Sequence, residues 1–272
     1  MAIQVTKADG ATEQFDPAKL EHSLQLAGAS STVRARVLAS IMHELHPMMA
    51  TESIYRRAFE ILRKDENLPV AARYSVKRAI FALGPSGFPF EVFVAEILRG
   101  HGWRASTGVT LMGRCAPHEV DILADKAGKR AGVEAKFHND PGGKTDIKDA
   151  LYVRARYEDL AAASDPSNHV DEGWLVTNTR FTQNALRYAQ CSGLILIGWD
   201  YPRTQGLLTM IEEARVHPLT ALTTLSESEK RHLLDKKVVL CKSLQTPHLL
   251  REHGIRAERM PIVMEEAKRL CG

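Results

Sequence analysis

Two acidic residues and one lysine stand close together in the stretch HEVDILADKAGKRAGVEAKF, which begins at His118. Asp121 lies on one predicted strand, and Glu134 and Lys136 lie two residues apart on the next. Because successive side chains of a strand point to opposite faces, Glu134 and Lys136 share one face. If the two strands pair through the turn between them, Asp121 falls near Glu134, and two carboxylates meet an ammonium group.

Such a group of charges predicts a site for a divalent cation. Two converging carboxylates repel each other, and one is driven towards protonation unless a cation lies between them. Mg²⁺, or Mn²⁺ in its place, suits carboxylate oxygens and keeps positions for water and phosphate. The ion lowers the pKa of a bound water, and Lys136 would position that water or stabilise charge developing on a phosphate. The alternative that these residues leave open is an ordinary hairpin with a solvated ion pair.

The chain around these residues alternates between predicted helices and predicted strands. Apolar periodicity and capping signals indicate helices at 89–99, 146–163, 182–191 and 206–215. Short apolar runs between turn residues indicate strands at 103–110, 119–124, 131–137, 173–177 and 194–198. This mixed order predicts an α/β (α+β) fold, in which a central sheet carries helices on its faces.

Both ends of the chain are predicted to form separate modules. The front segment has two short strands around Ala8-Asp9-Gly10, a helix opened by Asp16-Pro17, and helices at 32–45, 51–64 and 70–83. The run Gly84-Pro85-Ser86-Gly87 ends it. Short helices at 226–234, 236–244, 246–252 and 261–270 predict a helical tail, which either caps the protein or contacts nucleic acid. We therefore expect domains at 1–87, 88–218 and 219–272.

The composition is that of a globular protein, with 44% hydrophobic and 25% charged residues. No apolar run approaches the roughly 20 residues that cross a bilayer, so no membrane partner is expected. The 36 basic and 33 acidic residues nearly balance, and the resulting net charge of +3 is too small to indicate a partner. The four cysteines lie far apart without a CxxC pair, which argues against a zinc site and a disulfide framework and favours the reducing cytoplasm.

The middle of the chain, from Phe90 to about Leu219, resembles the Mrr-like branch of the PD-(D/E)xK restriction endonucleases. Pieces typical of that family follow in its order: Phe90-Glu91, Glu96-x-Leu98 before Gly102-Trp103, HEVDIL, VEAKF, LVTNT before Phe181-Thr182, and Ala189 before LILIGWD. The resemblance implies a DNA substrate, Asp121 and Glu134 as metal ligands, Lys136 as the catalytic lysine and Glu91 as an accessory acid. Many such proteins have Gln where Glu134 stands, and their glycine-rich lead into the Asp strand is here CAPHEVD.

Further residues near this segment are candidates for contacts with the DNA backbone. His118 either supports the metal site or contacts a phosphate, unless it is an ordinary surface histidine. Basic residues on the long helix and on the turns beside it would contact phosphates without reading sequence, unless they are solvated surface charges: Lys144, Lys148, Arg154, Arg156 and Arg180.

The front segment, over residues 3–83, resembles the ATP-cone, a regulatory nucleotide-binding module. The matching residues are Val5, Lys7, Asp9, Gly10, Glu13, Phe15-Asp16, Lys19, Thr51 and Ala72-Arg73-Tyr74. The resemblance implies that Lys7 and Lys19 meet phosphates and that Thr51 hydrogen-bonds one. It places Val5, Glu13 and Asp16 near the base and ribose of ATP or dATP. Many ATP-cones have a basic residue where this chain has Ala8, so a packing or dimerising domain is the alternative.

Together these features predict a Mg²⁺-dependent endonuclease that hydrolyses DNA and is regulated by ATP or dATP. No GxxxxGK[ST] sequence is present, so the nucleotide is expected to be an effector, acting through changed oligomerisation of a homo-oligomer. The alternative is a non-enzymatic nucleotide sensor that binds DNA or a protein partner on an inactive nuclease scaffold.

Overall fold

The computed structural model describes residues 3–7, 10–65 and 68–271 of the 272-residue chain. The chain divides into two units. The first unit contains the residues up to Ala79, Leu219–His232, and the residues from Cys241 onward. The second unit contains Ile80–Pro218 and Leu233–Leu240. Among the described residues, no helix combines the length and apolar character needed to cross a bilayer.

The front of the first unit is a small sheet with helices. Its strands are β1 (Gln4–Thr6), β2 (Thr12–Gln14) and β3 (Met49–Ala50), in the order β2-β1-β3. Strand β1 pairs antiparallel with β2 and parallel with β3. The helices are α1 (Pro17–Leu26), α2 (Ser31–Glu44), α3 (Thr51–Asp65) and α4 (Leu68–Tyr74). Helix α5 (Val76–Phe81) follows, and the boundary between the two units falls within it.

Capping residues explain where the first helices begin. Asp16 accepts a hydrogen bond from the Ala18 N–H at the start of α1, and Ser30 does the same for α2 from Val33. Two of the predicted turn residues between β1 and β2, Ala8 and Asp9, lie outside the described residues. The expected single helix at 70–83 is wrong, because the chain has a turn at Ser75 between α4 and α5.

The second unit is built on a five-stranded mixed sheet. Its elements are α6 (Phe88–Gly100), β4 (Arg104–Met112), β5 (Pro117–Lys126), β6 (Lys129–Lys136), β7 (Lys144–Thr145), α7 (Ile147–Ala161), β8 (Glu172–Thr177), β9 (Arg180–Phe181), α8 (Gln183–Ser192), β10 (Ile195–Ile197) and α9 (Leu207–Ala214). The strand order is β10-β8-β6-β5-β4, and β7 pairs with β9 separately. Strands β4, β5 and β6 are antiparallel neighbours, whereas β6, β8 and β10 run parallel. The predicted α/β architecture, a sheet flanked by helices, is confirmed.

Helix α7 lies close to the sheet because two strand residues lack side chains. Gly132 on β6 and Gly173 on β8 are both covered by the ring of Tyr157, which is almost fully buried. A Cβ atom added at Gly173 would lie 2.6 Å from Cδ2 of that ring. The close approach therefore determines which face of α7 packs against the sheet. Val153 and Leu160 lie with Tyr157 in the same hydrophobic core cluster.

The tail of the chain is helical, as predicted, although one predicted helix is wrong. It contains α10 (Glu227–Asp235), α11 (Pro247–Glu252) and α12 (Met260–Cys271), and α12 packs against α4 in the first unit. In place of a helix at 236–244 there is only a 3₁₀ turn, Cys241–Gln245. Lys237 has a φ of 63°, a left-handed conformation in which a helix cannot continue.

Among the described residues, a buried acid and a disulfide are two of the interactions that hold the tail together. Glu266 is buried and accepts hydrogen bonds from the backbone N–H groups and hydroxyls of Thr223 and Thr224. Cys241 and Cys271 are joined as a disulfide, so the expectation that no disulfide forms is wrong for this pair. The two cysteines are 30 residues apart in the sequence, so no local pattern indicates that they pair. They meet because α12 packs on the 3₁₀ turn and brings Cys271 next to Cys241.

Candidate active site

The predicted catalytic residues lie where strands β5 and β6 separate. The ladder between these strands ends with Ile122 opposite Val133, and Asp121 and Glu134 are the next residues. Beyond that point β6 remains paired with β8, and β5 remains paired with β4. The backbone N–H of Ala135 donates a 2.8 Å hydrogen bond to Oδ2 of Asp121. The carboxylate of Asp121 therefore spans the opening beside Glu134.

Helix α7 provides a partner of opposite charge for both site residues of β6. Arg156 forms a close ion pair with Glu134. The Lys136 Nζ lies 2.9 Å from Oδ1 of Asp149. Glu134 and Lys136 thus lie on one face of the strand, as their spacing predicts, and that face is turned towards α7. Asp149 and Arg156 are seven residues apart, close to two helical turns, so they occupy one side of the helix.

The same side of α7 carries an exposed aromatic ring. Nη2 of Arg156 donates a 2.8 Å hydrogen bond to the Tyr152 hydroxyl, and the guanidinium carbon lies 4.8 Å from the centre of the Tyr152 ring. The ring is 62% exposed. Sequence reasoning missed the contributions of Asp149 and Tyr152. The available signal was their spacing on a predicted helix: Asp149 lies seven residues and Tyr152 four residues before Arg156, so all three share one side of the helix.

Glu91 is held near the site by the start of helix α6. Phe90, which is fully buried, packs against Phe137 with ring centres 5.5 Å apart, and Phe137 directly follows Lys136. Nδ2 of Asn139 donates a hydrogen bond of 3.3 Å to the carbonyl of Pro85. These contacts fasten the loop before α6 to the end of β6.

The three acids have raised pKa values. Burial raises the pKa of Glu134 to about 7, the charge of Asp121 adds to the effect, and Arg156 opposes it. Burial also raises the pKa of Glu91 to about 7, and the charges of Asp121 and Glu119 add to this. The pKa of Asp121 is raised chiefly by burial, although its hydrogen bond from the backbone opposes the change. Without a cation, Glu134 and Glu91 therefore hold part of their protons near neutral pH.

This set of donors fits a hard divalent cation. Mg²⁺ is commonly held by one or two carboxylates, with water and phosphate oxygens completing the octahedron. Asp121 and Glu134 can supply those carboxylates, and an ion between them would relieve the repulsion that raises their pKa values. Within the described part of the chain, no group of three or more His, Cys, Asp or Glu could hold a metal ion. The fit is therefore to a two-carboxylate site.

His118, one of the predicted candidates, contacts Asp159 on α7. Its Nε2 lies 2.9 Å from Oδ2 of Asp159, which also accepts hydrogen bonds from the backbone N–H groups of Cys115 and Ala116. The bond with His118 and those from the turn lower the pKa of Asp159 to about 2. His118 thus helps to fasten the turn before β5 to α7.

A buried polar network closes the far side of the site. Asn178 donates through Nδ2 to the carbonyl of His138 at 2.9 Å and accepts from the His138 N–H at 2.8 Å. The ring of His138 lies 2.9 Å from the hydroxyl of Thr145. Burial and the charge of Lys136 lower the pKa of His138. This network ties the end of β8 to the residues that follow Lys136.

The candidates for phosphate contacts differ in their surroundings. Lys144 and Lys148 are exposed. Arg154 pairs with Glu158 at 2.7 Å, and Arg180 lies 3.7 Å from Asp200. Arg156, by contrast, is held at Glu134. Contacts of these residues with DNA stay a prediction.

A cavity of about 580 Å³ opens at the other end of strands β5 and β6, around their turn. Three of its cations are bound internally: Arg130 pairs with Asp125 at 2.9 Å, Lys129 pairs with Glu172 at 2.8 Å, and Lys126 donates to a backbone carbonyl. The cavity is lined by a structural hairpin end, and the acids that can bind a cation lie elsewhere.

In the first unit, the structure brings together two lysines of the predicted nucleotide site. The carboxylate of Glu13 lies 2.8 Å from Nζ of Lys7 and 3.3 Å from Nζ of Lys19. The hydrogen bond from Lys7 is the largest cause of a lowered pKa at Glu13. The two cations that would meet phosphates therefore converge on one internal carboxylate.

The three other residues of that predicted site have structural contacts. Val5 is buried in the core of the first unit. The side chain of Asp16 caps α1, and Thr51 is the first residue of α3. Nucleotide binding by these residues stays a prediction.

Comparisons with known proteins identify three regions of the chain. The ATP cone domain family model matches residues 3–80, the restriction endonuclease model matches 84–201, and the AF1548-like, C-terminal model matches 217–271. The predicted resemblances to Mrr-like restriction endonucleases and to the ATP-cone are therefore confirmed.

Two of the matches cover nearly the whole length of the matched protein. An uncharacterized protein of Archaeoglobus fulgidus is 33% identical over 181 residues, which are 66% of this chain and 100% of that protein. The crystal structure of the protein of unknown function AF1548 shares 32% identity and a TM-score of 0.58, over 69% of this chain and 99% of that one. The MspJI restriction endonuclease, solved with a 27-mer oligonucleotide, matches at 16% identity and a TM-score of 0.37, over 62% of this chain and 36% of that one. That likeness is too low to support an argument.

Proposed function

The chain belongs to the AF1548-like family, with an ATP cone before a restriction endonuclease-like domain, and we propose that it is a Mg²⁺-dependent endonuclease that hydrolyses phosphodiester bonds of DNA. One observation carries the proposal. Asp121, Glu134 and Lys136 meet where β5 and β6 separate, inside the segment that matches the restriction endonuclease model. An ordinary solvated ion pair does not account for three acids whose pKa values are raised by burial.

Each site residue has a role that its surroundings support. Asp121 and Glu134 would hold Mg²⁺, which when bound activates a water and offsets charge on the phosphate. Lys136, whose side chain is 44% exposed, can donate from Nζ to a phosphate oxygen or to the attacking water. Glu91, with a pKa raised to about 7, can accept a proton at its carboxylate near neutral pH.

Removal of the metal tests the catalytic proposal. The purified chain should nick or cleave plasmid DNA with Mg²⁺, and EDTA should reduce the rate to background because the two carboxylates cannot activate water alone. Excess Mg²⁺ added after EDTA should restore cleavage. Gel analysis of supercoiled, relaxed and linear DNA measures the outcome. Cleavage that continues in EDTA would contradict the assigned metal site.

We further propose that the ATP cone binds ATP or dATP as an effector of this activity. Lys7 and Lys19 already converge on the carboxylate of Glu13, and a triphosphate can replace that carboxylate as their common anion. Thr51, at the start of α3, would donate to a phosphate. The effector acts if it binds one oligomeric arrangement of the chain better than another.

The effector proposal predicts the effect of removing one cation. Lys7→Met should weaken binding of ATP or dATP by about tenfold or more, because charge-assisted hydrogen bonds contribute roughly 1.5–3 kcal/mol. Calorimetry with each nucleotide measures the affinity, and light scattering with and without nucleotide measures the oligomeric state. Lys64→Met, an exposed lysine near the end of α3, is the matched control. Equal affinities for both variants would contradict the assigned phosphate contact.

The same measurements separate the enzyme from the alternative function. A non-enzymatic nucleotide sensor would bind ATP or dATP and either DNA or a protein partner, and Mg²⁺ would cause no cleavage of any nucleic acid tested. The ion pairs between β6 and α7 are the observation that favours this alternative. Without metal and substrate, Glu134 is paired with Arg156 and Lys136 is paired with Asp149.

A further inference from the structure

Helix α7 presents an opposite charge to each of the two ionised side chains that β6 contributes to the site. Arg156 pairs with Glu134, and Asp149 pairs with Lys136. We propose that α7 holds the nuclease site in a self-neutralised state, in which Arg156 takes the place of the metal ion and Asp149 takes the place of a substrate phosphate. The inference rests on the proposed function. It adds that the metal ion must displace Arg156 and that the substrate phosphate must displace Asp149.

Arg156 occupies Oε2 of Glu134, one of the two oxygens through which this carboxylate could hold a cation. Its guanidinium is in close contact with a Glu134 oxygen, and its side chain is only 11% exposed. A divalent ion at the same carboxylate would lie a few ångströms from this guanidinium, where two positive charges in a partly buried site repel strongly. Metal binding therefore requires Arg156 to move away from Glu134.

Tyr152 gives the displaced guanidinium a second position. Arg156 already donates to the Tyr152 hydroxyl at 2.8 Å, and its guanidinium lies 4.8 Å from the centre of the ring. Because the ring is largely exposed, the guanidinium can keep the cation–π contact while it turns towards solvent. The displacement thus leaves no buried charge without a partner, which would otherwise make it costly.

Asp149 occupies the anion position at Lys136. Its carboxylate lies 2.9 Å from Nζ, the distance at which a phosphate oxygen would accept the same hydrogen bond. The side chains of Lys136 and Asp149 are 44% and 28% exposed, and ion pairs with that access to water contribute little stability. A phosphodiester can therefore exchange with Asp149 at small cost.

A purely structural role for these ion pairs predicts the opposite result. If Arg156 serves to orient Glu134, its removal weakens metal binding. If Arg156 stands in for the metal, its removal strengthens metal binding, because the competing cation is gone. The sign of the change therefore separates the two roles.

The first test measures metal affinity without catalysis. Mg²⁺ and Mn²⁺ are titrated calorimetrically into the metal-free full chain at about pH 8.5, above the raised pKa values of Glu91 and Glu134. Arg156→Gln is expected to bind either metal about tenfold more tightly than the wild type, a change of about 1.4 kcal/mol. Arg154→Gln, which removes the same charge two residues away on the same helix, is expected to bind nearly as the wild type does.

The possible outcomes are distinct. Unchanged or weaker metal binding by Arg156→Gln overturns the inference about Arg156. An equal gain in Arg154→Gln overturns it as well, since general electrostatics would then suffice. Metal binding by the wild type should be lost in Asp121→Asn. If the wild type binds no metal, or if Asp121→Asn binds it equally well, the nuclease proposal itself fails, and the inference fails with it.

A second test addresses Asp149 through DNA affinity. Fluorescence anisotropy with a labelled DNA duplex and metal-free protein should show Asp149→Asn binding several-fold more tightly than Glu213→Gln, because only the former frees Lys136. Glu213 is an exposed acid on α9 of the same unit. Equal gains in the two variants would reduce the effect to net charge and overturn the role of Asp149.

Discussion

Asp121→Asn is expected to lower the rate of DNA cleavage by at least roughly 10³-fold, the scale on which loss of a group essential to the chemical step acts. The change removes the negative charge that would bind Mg²⁺ and keeps the size of the side chain. Single-turnover cleavage of a labelled duplex with saturating Mg²⁺ measures the rate. Calorimetry on the same preparation should show that binding of Mg²⁺ is lost too.

The fold should survive this substitution. The Asn side chain keeps an oxygen that can accept the hydrogen bond from the Ala135 N–H, which is 2.8 Å long in the wild type. Burial already disfavours the charged form of Asp121, as its raised pKa shows, so a neutral side chain should be tolerated. Thermal unfolding should therefore occur at or above the wild-type temperature.

Comparison with Lys136→Gln separates metal binding from chemistry. This variant should also cleave poorly, but it should keep its affinity for Mg²⁺, because Lys136 is not a ligand. Asp125→Asn is the matched control, since Asp125 lies on the same strand and pairs with Arg130 at the hairpin end. If Asp121→Asn cleaves DNA as fast as Asp125→Asn, Asp121 is not part of the catalytic site.

The sequence was sufficient to predict the strands that carry these residues. The alternation in β5 and the spacing of Glu134 and Lys136 are local signals, and local periodicity determines which face of a strand a side chain occupies. The turn at Ala127 and Gly128, both with positive φ, joins β5 and β6. The sequence therefore predicts that Asp121 lies near Glu134, because a single hairpin brings the two strands together.

What the sequence could not show depends on contacts between distant elements. The pairing of Glu134 with Arg156 requires α7 to lie across β6, and that approach depends on Gly132 and Gly173 leaving room for Tyr157. Neither glycine has a local signature for such a role. From the sequence alone, the basic residues on the helix therefore predict a surface for phosphates, although one of them, Arg156, is held by Glu134 of the site.

The short elements were missed for a related reason. Strand β3 has two residues, and β7 and β9 have two each, so none has enough residues to show a period. Their pairing is determined by what lies beside them: β3 extends the sheet of β1, and β7 pairs with β9. The disulfide between Cys241 and Cys271 likewise follows from the packing of α12 on the 3₁₀ turn.

The raised pKa values of the acids predict that pH controls metal binding. Glu134 and Glu91 have pKa values of about 7, so below neutral pH both are protonated and a metal ion must displace protons. The affinity for Mg²⁺ should fall by up to about tenfold for each pH unit and each proton displaced between pH 8 and pH 6. Calorimetry in two buffers of different ionisation enthalpy measures the protons released.

The same shifts determine how stability changes with pH in the metal-free protein. The native state holds protons on Glu134 and Glu91 up to about pH 7, whereas the unfolded chain releases them near its ordinary glutamate pKa of about 4.3. The native state therefore binds more protons between these values, and the free energy of unfolding falls as pH rises through this window. Above about pH 7 this contribution is lost, and Mg²⁺ should restore stability by replacing the protons.

Urea unfolding at several pH values, with and without Mg²⁺, tests this linkage. Glu134→Gln should flatten the dependence on pH and reduce the stabilisation by Mg²⁺, because a neutral amide neither titrates nor attracts the ion. Glu172→Gln changes an acid that pairs with Lys129 near the hairpin end, and it should retain both effects. A metal affinity that is constant from pH 6 to pH 8, with no proton release, would mean that the acids are not neutralised by protons in the metal-free state.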